Sequence, residues 1–452
     1  MQLPKAFAEQ MQAQLGSEWA AFLEALASPP PVSIRRHPLS EFKLEENAGK
    51  VKWNPDGLYL PKRPVFTLDP SFHAGAYYVQ EASSMFVGQA VRQLTKPEAP
   101  ILALDLCAAP GGKSTLLLST LPQDSLVLAN EVIRSRYQSL RHNLVKWGYS
   151  NSCSSMHDSR EFSGLEGFFD LILVDAPCSG EGLFRKDPGA TGEWSEEGVQ
   201  LCAGRQKRIL ADAVKLLAPD GIMLFCTCTY NRQENEDNAN WLKDTFGLHP
   251  EPIRLEADWG IVSSGMGYQF YPHRVRGEGF YLAAFRKTDG PSYHAPKLRS
   301  LAPRGYQPLP GKVKDNLKEW AGELDALALF QNTAGKIIAF PKQHEERVAQ
   351  LGHTLSRFQV GVELGQFKKN DFVPAHSLAL SSLTASRIPQ LDLQREAALR
   401  YLKKETIQVD EAPEGWALVT YQGLSLGWMK GLKNRINNYF PKEWRIRMEV
   451  KD

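Results

Sequence analysis

The 452-residue sequence lacks the features that mark membrane, secreted and zinc-binding proteins. No apolar run approaches the roughly 18 residues that a membrane-spanning helix needs, and the N-terminus has no continuous apolar core like that of a signal peptide. Six cysteines are too few for the disulfide framework of a small secreted domain, and no Cys or His pairs stand together at a zinc-site spacing. We therefore expect a cytoplasmic protein with reduced thiols, no membrane association and no metal.

The sequence also has little excess charge of either sign, because its formal net charge is only +2. The distribution is uneven, however: nine Lys and Arg stand against two acids in residues 274–314, and six against one in residues 430–447. Basic runs are usually solvated surfaces. Aromatic residues accompany the second run, and their rings could stack on bases while the cations contact phosphates, namely Trp428, Tyr439, Phe440 and Trp444.

The chain is longer than one hydrophobic core usually is, so we expect a catalytic domain and at least one further module. Apolar residues recur at helical spacing from Phe7 to Leu26, which predicts a helical cap over residues 1–55. Continuous apolar runs then alternate with helical patterns. Such runs indicate parallel strands buried on both faces, and they predict a doubly wound, Rossmann-like α/β domain over residues 56–287. The predicted strands are 101–106, 126–129, 169–174 and 222–225.

Five prolines in residues 288–312 predict a semi-extended basic linker after this domain. Beyond it we expect a small α+β module over residues 313–385, with a helix at 317–329, a strand at 336–340 and a hairpin at 359–372. The last module, over residues 386–452, is predicted to be a compact β-barrel. Its predicted strands are 406–409, 416–421, 425–429 and 444–450.

The run at 101–106 continues through glycines into a helix, an arrangement that brings backbone N–H groups close to a ligand. A phosphate-binding P-loop would need a glycine where Cys107 stands, and the dinucleotide pattern G-x-G-x-x-G is absent. S-adenosylmethionine, which has no pyrophosphate, is the remaining candidate. We expect its loop to consist of Cys107, Ala108, Ala109, Pro110, Gly111, Gly112 and Lys113.

An acidic residue, Glu131, follows the second predicted strand. At this place in a doubly wound sheet, a carboxylate can accept both hydroxyls of a ribose. The alternative is an acid that stabilises the start of a helix through its dipole. The position after the second strand favours the ribose contact.

Two further segments place cysteines at the ends of predicted strands. Residues 175–180 are Asp-Ala-Pro-Cys-Ser-Gly, and residues 225–230 are Phe-Cys-Thr-Cys-Thr-Tyr. Since the carboxyl ends of parallel strands share one edge of a sheet, Cys178 and Cys228 are predicted to face one cleft. Asn231 and Glu234 are expected to cap the following helix. The residues alone leave open which cysteine attacks a substrate.

Together these segments resemble the RNA cytosine-5 methyltransferases of the Nol1/Nop2/Sun family. Residues 107–113 look like the family's cofactor loop, residues 175–180 like its Pro-Cys motif, and Thr227-Cys228 like its Thr-Cys motif. The likeness covers about residues 1–290, and it is greatest to the bacterial 16S ribosomal-RNA branch called type F. This resemblance implies a class I methyltransferase domain and a PUA-like RNA-binding module at the C-terminus.

The resemblance also implies roles for individual residues. Cys228 would be the nucleophile that adds to carbon 6 of cytosine, and Cys178 would serve product release. Asp175 would stabilise the ring as charge develops and would also contact the cofactor. Arg136 and Asp158 would be further cofactor contacts, with Asp158 at the adenine amine.

The expected substrate is RNA with a flipped, unpaired cytosine, in 16S ribosomal RNA or the small ribosomal subunit, with transfer RNA as the second candidate. A non-catalytic RNA-binding assembly factor is the alternative from another class, and the presence of both cysteines and the loop glycines disfavours it. We expect a monomer. Phosphate contacts are expected from Arg185, Lys186, Lys430, Lys433, Arg435, Lys442 and Arg445.

Overall fold

The computed structural model describes residues 3–42, 48–187, 189–369, 371–407, 411–433 and 435–449. The strands form four sheets, which we call N-terminal, central, linking and C-terminal in the order in which the chain enters them. Within the described residues, no helix is both long and apolar enough to cross a membrane.

The N-terminal part consists of two helices followed by a small sheet. Its elements are α1 (Lys5–Leu15), α2 (Trp19–Ala27), β1 (Val32–Arg36), β2 (Gly49–Lys50), β3 (Gly57–Leu60), α3 (Pro70–His73) and β4 (Tyr77–Val79). The predicted helices are confirmed as far as Ala27. Beyond it the helical prediction is wrong, because a run of prolines ends α2 and the β-branched Val32 and Ile34 enter a strand. Residues 43–47 of the predicted cap lie outside the described residues.

The N-terminal sheet has the order β2-β3-β1-β4. It therefore pairs strands from both sides of the predicted boundary at residue 55. The helices that precede it bury their apolar face against the rest of the protein through Phe7, Met11, Phe22 and Leu26.

The central sheet is doubly wound, as the continuous apolar runs predict. Its first elements are α4 (Phe86–Leu94), β5 (Leu102–Asp105), α5 (Gly112–Thr120), β6 (Leu126–Asn130), α6 (Arg134–Trp147), β7 (Ser152–Ser155), β8 (Phe169–Asp175), α7 (Ala190–Glu193), α8 (Glu196–Leu216) and β9 (Leu217–Thr227). These five strands pair in parallel in the order β7-β6-β5-β8-β9. Because β5 lies between β6 and β8, the chain changes direction there, and the carboxyl ends of these strands border a crevice.

The far side of this sheet is antiparallel. It contains α9 (Glu236–Phe246), β10 (His249–Pro250), β11 (Val262–Ser264), β12 (Gly267–Phe270) and β13 (Phe280–Arg286), with β13 paired to β9. Helix α8 packs on one face of the central sheet and α5 on the other. The four strands predicted from apolar runs are thus confirmed, with ends shifted by a few residues.

The chain after residue 287 forms the linking and C-terminal sheets. The first group of elements is β14 (Tyr306–Pro308), α10 (Gly311–Asp315), β15 (Leu327–Asn332), β16 (Lys336–Pro341), α11 (Glu345–Thr354), β17 (Phe358–Val360), β18 (Val362–Lys368), β19 (Asp371–Pro374) and α12 (His376–Ala379). The second group is β20 (Gln390–Asp392), α13 (Arg395–Lys403), β21 (Gly415–Tyr421), β22 (Leu424–Leu432) and β23 (Arg435–Asn438). The sheet orders are β14-β15-β16-β18-β19 and β20-β21-β22-β23.

The predictions for this half are confirmed only in part. The strands at 336–340, 416–421 and 425–429 are present, and Gln422-Gly423 forms the turn between β21 and β22 with positive φ at both residues. The helix predicted at 317–329 is wrong, because pairing of β15 with β16 overrides the local helical spacing. Part of the predicted linker pairs as β14, and no strand forms at 444–449. Thr406 and Ile407 are not in a strand either, while residues 408–410 and 450 lie outside the described residues.

Strand β17 joins the C-terminal half of the chain to the central sheet. The predicted hairpin at 359–372 exists as β18 and β19, but β17 pairs instead with β7, where Val360 lies opposite Cys153. The next residue, Gly361, has a φ of +61° and donates its N–H to the carbonyl of Ser152 at 2.8 Å. A Cβ at Gly361 would lie 2.1 Å from the carbonyl oxygen of Ala339. The connection between the C-terminal half of the chain and the central sheet therefore requires glycine at position 361.

We predict that Gly361→Ala destabilises the protein by about 2 to 4 kcal/mol, because alanine there combines a left-handed backbone with a steric clash. Thermal unfolding followed by circular dichroism measures the effect. The matched control is Gly204→Ala, at an exposed site inside α8 with no atom within 4 Å of the new Cβ, which should leave the melting temperature equal or slightly higher. Equal melting temperatures for both variants would contradict the role of Gly361.

Candidate active site

The predicted cofactor loop lies at the carboxyl end of β5, next to the end of β6. Gly111 has a φ of +110° and caps α5, and its N–H donates to the carbonyl of Ala108 at 2.7 Å. The N–H of Ala108 donates in turn to the carbonyl of Asn130 at 2.8 Å, which ties the loop to the end of β6. The amino end of α5 therefore borders the crevice, and all seven predicted loop residues lie in or directly after this turn.

Two buried carboxylates lie at the ends of these strands. Glu131 directly follows β6; its Oε1 accepts from the N–H of Ile133 at 2.9 Å, and its Oε2 is buried without a hydrogen bond. Asp105 ends β5; its Oδ2 accepts from Ser114 at 2.6 Å, and its Oδ1 is also buried without a hydrogen bond. Burial raises the pKa of Asp105 to about 7. Asp105 was not among the predicted site residues, although an acid in a continuous apolar strand is a signal of a functional site.

The other two predicted cofactor contacts have partners within the protein. Arg136 donates to the carbonyl of Ala109 at 2.9 Å and lies 3.4 Å from Glu131 Oε2, so it braces the loop against the acid. Asp158 caps a short 3₁₀ helix, Ser159–Phe162, and pairs with Arg208 at 2.9 Å. The contact predicted between Asp158 and the adenine amine stays a prediction, and it would involve a carboxylate that is already paired with Arg208.

Lys113 connects the cofactor loop to the Pro-Cys segment. Its Nζ lies 2.7 Å from Oδ2 of Asp175, which ends β8. Burial would lower the pKa of Lys113, but the nearby negative charge of Asp175 outweighs burial and keeps the pKa above its usual value. Lys113 is therefore charged, and it holds the Asp175 carboxylate at the edge of the crevice.

The two predicted cysteines meet at the same edge. The sulfur atoms of Cys178 and Cys228 are 3.0 Å apart, and the N–H of Cys228 donates to Cys178 Sγ at 3.3 Å. The register that pairs Asp175 with Cys226 in β8 and β9 produces this meeting, since each thiol follows shortly after its strand. The hydrogen bond with Cys228, followed by burial, raises the pKa of Cys178 well above its usual value. Cys178 is therefore a thiol at neutral pH.

Glu234 does not cap a helix as expected. Helix α9 begins at Glu236 with Asn235 as its N-cap, and no side chain makes a capping hydrogen bond there. Glu234 is instead fully buried and reaches the Pro-Cys segment, where the N–H of Ser179 donates to it at 3.0 Å. No spacing rule predicts this contact, because the two residues are 55 positions apart.

Arg185 was expected to contact RNA phosphates, and this prediction is wrong. Its side chain is only 5% exposed and pairs with Glu278 at 3.0 Å. It also donates to the carbonyls of Ala25 and Gly277, so it fastens helix α2 and the segment before β13 to the loop after the cysteine. A guanidinium with all these partners is a structural element of the core. The neighbouring Lys186 is exposed.

The predicted aromatic surface near the C-terminus is mostly buried. Trp428 and Phe440 belong to the core, and Trp444 stacks on His142 of α6 with the ring centres 4.0 Å apart. Tyr439 is the one of the four that stays exposed, at 40%. Most of the basic residues predicted to contact RNA in this module are accessible to solvent. Lys430 is half-buried beside the Trp416 ring, and the remaining four are exposed: Lys433, Arg435, Lys442 and Arg445.

Comparisons with known proteins agree along most of the chain. Residues 93–286 match the family described as 16S rRNA methyltransferase RsmB/F, residues 3–82 match the N-terminal domain of 16S rRNA methyltransferase RsmF, and residues 389–446 match the methyltransferase RsmF PUA domain. A ribosomal RNA small subunit methyltransferase F from Shewanella loihica is 30% identical, over 93% of this chain and 90% of the relative. The chain belongs to the RsmB/F methyltransferase family. A relative of the same name from Aliivibrio fischeri (strain MJ11) is also 30% identical, over 98% of this chain and 97% of the relative.

Solved structures support the same fold for this RsmB/F family member. A methyltransferase homologue from Pyrococcus horikoshii has a TM-score of 0.54 at 28% identity, over 63% of this chain and 95% of that one. NSun6 from the same organism also has a TM-score of 0.54, and at 20% identity it shows the fold alone. The resemblance to the Nol1/Nop2/Sun proteins, the Rossmann-like methyltransferase fold and the PUA-like C-terminal module are thus confirmed.

The cofactor of the RsmB/F family member is S-adenosylmethionine, and the crevice fits it. Glu131 Oε2 and Asp105 Oδ1, which have no hydrogen bond within the protein, can accept hydrogen bonds from ribose hydroxyls and from an amino group. The acidic surroundings also suit the positive sulfonium of this cofactor. No group of three or more His, Cys, Asp or Glu suited to a metal ion occurs among the described residues.

We predict that Glu131→Gln weakens binding of S-adenosylhomocysteine by about 10- to 100-fold, because one hydrogen bond to a charged group contributes about 1.5 to 3 kcal/mol. Isothermal titration calorimetry measures the change. Glu9→Gln is the control, on the exposed surface of α1, and it should bind with unchanged affinity. Unchanged affinity in Glu131→Gln would remove Glu131 from the cofactor site.

Proposed function

We propose that this RsmB/F family member transfers a methyl group to carbon 5 of a cytosine in small-subunit ribosomal RNA through a covalent bond between Cys228 and carbon 6. The meeting of two thiols at 3.0 Å, beside Asp175 and the cofactor loop, carries the proposal. Transfer to an amine or a hydroxyl needs no such pair. Carbon 5 of cytosine, in contrast, is a poor nucleophile until a thiolate adds to the ring.

In the first half of the reaction, Cys228 adds to carbon 6 as a thiolate and electron density moves to carbon 5. The Cys178 thiol lies within hydrogen-bonding distance of Cys228 and can donate a hydrogen bond to its sulfur. Asp175, held by Lys113, is the carboxyl group available to N3 and the exocyclic amine as charge develops. When bound, S-adenosylmethionine supplies an electrophilic methyl group, which carbon 5 accepts.

In the second half, carbon 5 must lose its proton so that the electrons of that bond can expel the Cys228 thiolate. We assign Cys178 to this release, either as the base or through a base that it positions. Because its pKa is raised, Cys178 is a thiol at neutral pH and can accept the carbon-5 proton only after its own proton has passed to solvent; the anion so formed is a strong base.

We also propose a division of labour along the chain: residues 56–287 perform the chemistry, residues 288–312 connect, and residues 313–452 contact RNA. The exposed Lys433, Arg435, Lys442 and Arg445 support the assignment of the C-terminal module. The relatives are named for the small ribosomal subunit, which favours 16S ribosomal RNA over transfer RNA. A non-catalytic assembly factor is disfavoured by an intact pair of thiols.

The fate of the covalent bond distinguishes the two cysteines. Cys178→Ala should accumulate a protein–RNA adduct that resists denaturing electrophoresis, because release fails, whereas Cys228→Ala should form no adduct and no methylated RNA. Cys202→Ala, at a half-buried site on α8, is the control and should methylate RNA normally without a lasting adduct. The reverse pattern would make Cys178 the nucleophile, and adducts in neither variant would refute covalent catalysis.

A further inference from the structure

Two buried carboxylates connect the segments that carry the cysteines. Glu234, six residues after Cys228, accepts from the backbone N–H of Ser179 at 3.0 Å and from the Ser179 hydroxyl. Glu181, three residues after Cys178, accepts from the backbone N–H of Tyr230 at 3.1 Å. Each acid therefore belongs to the segment of one cysteine and accepts a hydrogen bond from the main chain of the other cysteine's segment.

Neutral donors complete both sites. Glu234 also accepts from Gln206 at 2.8 Å, and the same amide nitrogen donates to the carbonyl of Pro177 at 3.0 Å. Glu181 also accepts from Trp194 at 3.0 Å and from Asn231 at 3.2 Å. Among the described residues, no ion pair neutralises either acid, and both are fully buried. Burial raises the pKa of both acids, that of Glu234 to about 7.

Unneutralised buried carboxylates are costly, so a purely structural link would be served better by neutral groups. What these acids add is a hydrogen-bond acceptor for a backbone N–H close to each thiol, that of Ser179 directly after Cys178 and that of Tyr230 two residues after Cys228. Gly182 adds a third link, because its N–H donates to the carbonyl of Cys228 at 2.9 Å and a Cβ there would lie 2.7 Å from the same oxygen. The two segments are thus fixed to each other at the point where the sulfur atoms meet.

We propose that Glu181 and Glu234 form a reciprocal clamp that positions the two cysteines, with Glu234 holding the Cys178 segment and Glu181 holding the Cys228 segment. The inference rests on the proposed function, because it assigns each acid to one half of the reaction. Both are positioning residues, since each acts on the reaction through the cysteine whose main chain it holds.

The assignment predicts opposite effects of two similar substitutions. Glu181→Gln should slow adduct formation, so that both adduct and methylated RNA fall by at least tenfold. Glu234→Gln should leave adduct formation intact but slow release, so that methylated RNA falls by at least tenfold while adduct rises above the wild-type level. Glu181→Asp and Glu234→Asp keep the charge but shorten the reach, and they should behave like the corresponding Gln variants. Glu193→Gln, exposed on α7, is the control and should behave like the wild type.

The experiment follows adduct by denaturing electrophoresis and product by labelled methyl transfer, with RNA and the full-length protein. Cofactor affinity and thermal unfolding, measured in parallel, correct each rate for the folded fraction. The clamp is refuted if both acids give the same pattern, or if the Asp variants restore wild-type rates. Failure of the proposed function has a different signature, because then the wild type and Cys178→Ala form no adduct and Cys228→Ala still methylates RNA.

Discussion

The parallel pairing of β8 with β9 is the constraint on which the proposed chemistry depends. Its register places Asp175 beside Cys226, so that Cys178 and Cys228 leave their strands at the same level and their sulfur atoms meet. A slip of one residue would turn the strand side chains to the other face of the sheet. The same strand end places Asp175 next to Lys113 of the cofactor loop. One pairing therefore sets the distance between the thiols and also places Asp175 against the predicted cofactor loop.

The charges around this edge are mostly negative and mostly buried. Asp105 and Glu131 lie on the cofactor side, and Glu181 and Glu234 lie around the thiols. Burial of these acids lowers the stability of the folded protein, and a bound cationic cofactor would offset part of this loss. The cations that contact the edge are committed to internal partners: Lys113 to Asp175, and Arg185, on the cysteine segment, to Glu278. These two cations are therefore not free to bind RNA phosphates, which leaves exposed residues such as Lys186, Lys433 and Lys442 as the proposed contacts.

The parts of the molecule that follow from local rules could be predicted from the sequence. Continuous apolar runs identify the strands of the central sheet, and the motifs identify the loop, Asp175 and the two cysteines. What could not be predicted depends on contacts between distant segments. Glu234 has the spacing of a helix cap, but its partner Ser179 is 55 residues away. Arg185 follows the Pro-Cys motif, where a phosphate contact was expected, yet its side chain is buried and paired with Glu278. The helix predicted at 317–329 overlaps the start of β15, whose residues form a strand through pairing with β14 and β16.

The central claim is that two thiols at one strand edge serve carbon-5 methylation of ribosomal RNA. The most direct measurement is nucleoside analysis by mass spectrometry after the full-length protein and S-adenosylmethionine react with small ribosomal subunits, free 16S ribosomal RNA and transfer RNA in parallel. The account predicts 5-methylcytidine in the small-subunit or 16S reaction, and none there when Cys228→Ala replaces the wild type. Methyl groups on a cytosine nitrogen or a ribose oxygen, or 5-methylcytidine formed equally well by Cys228→Ala, would contradict it.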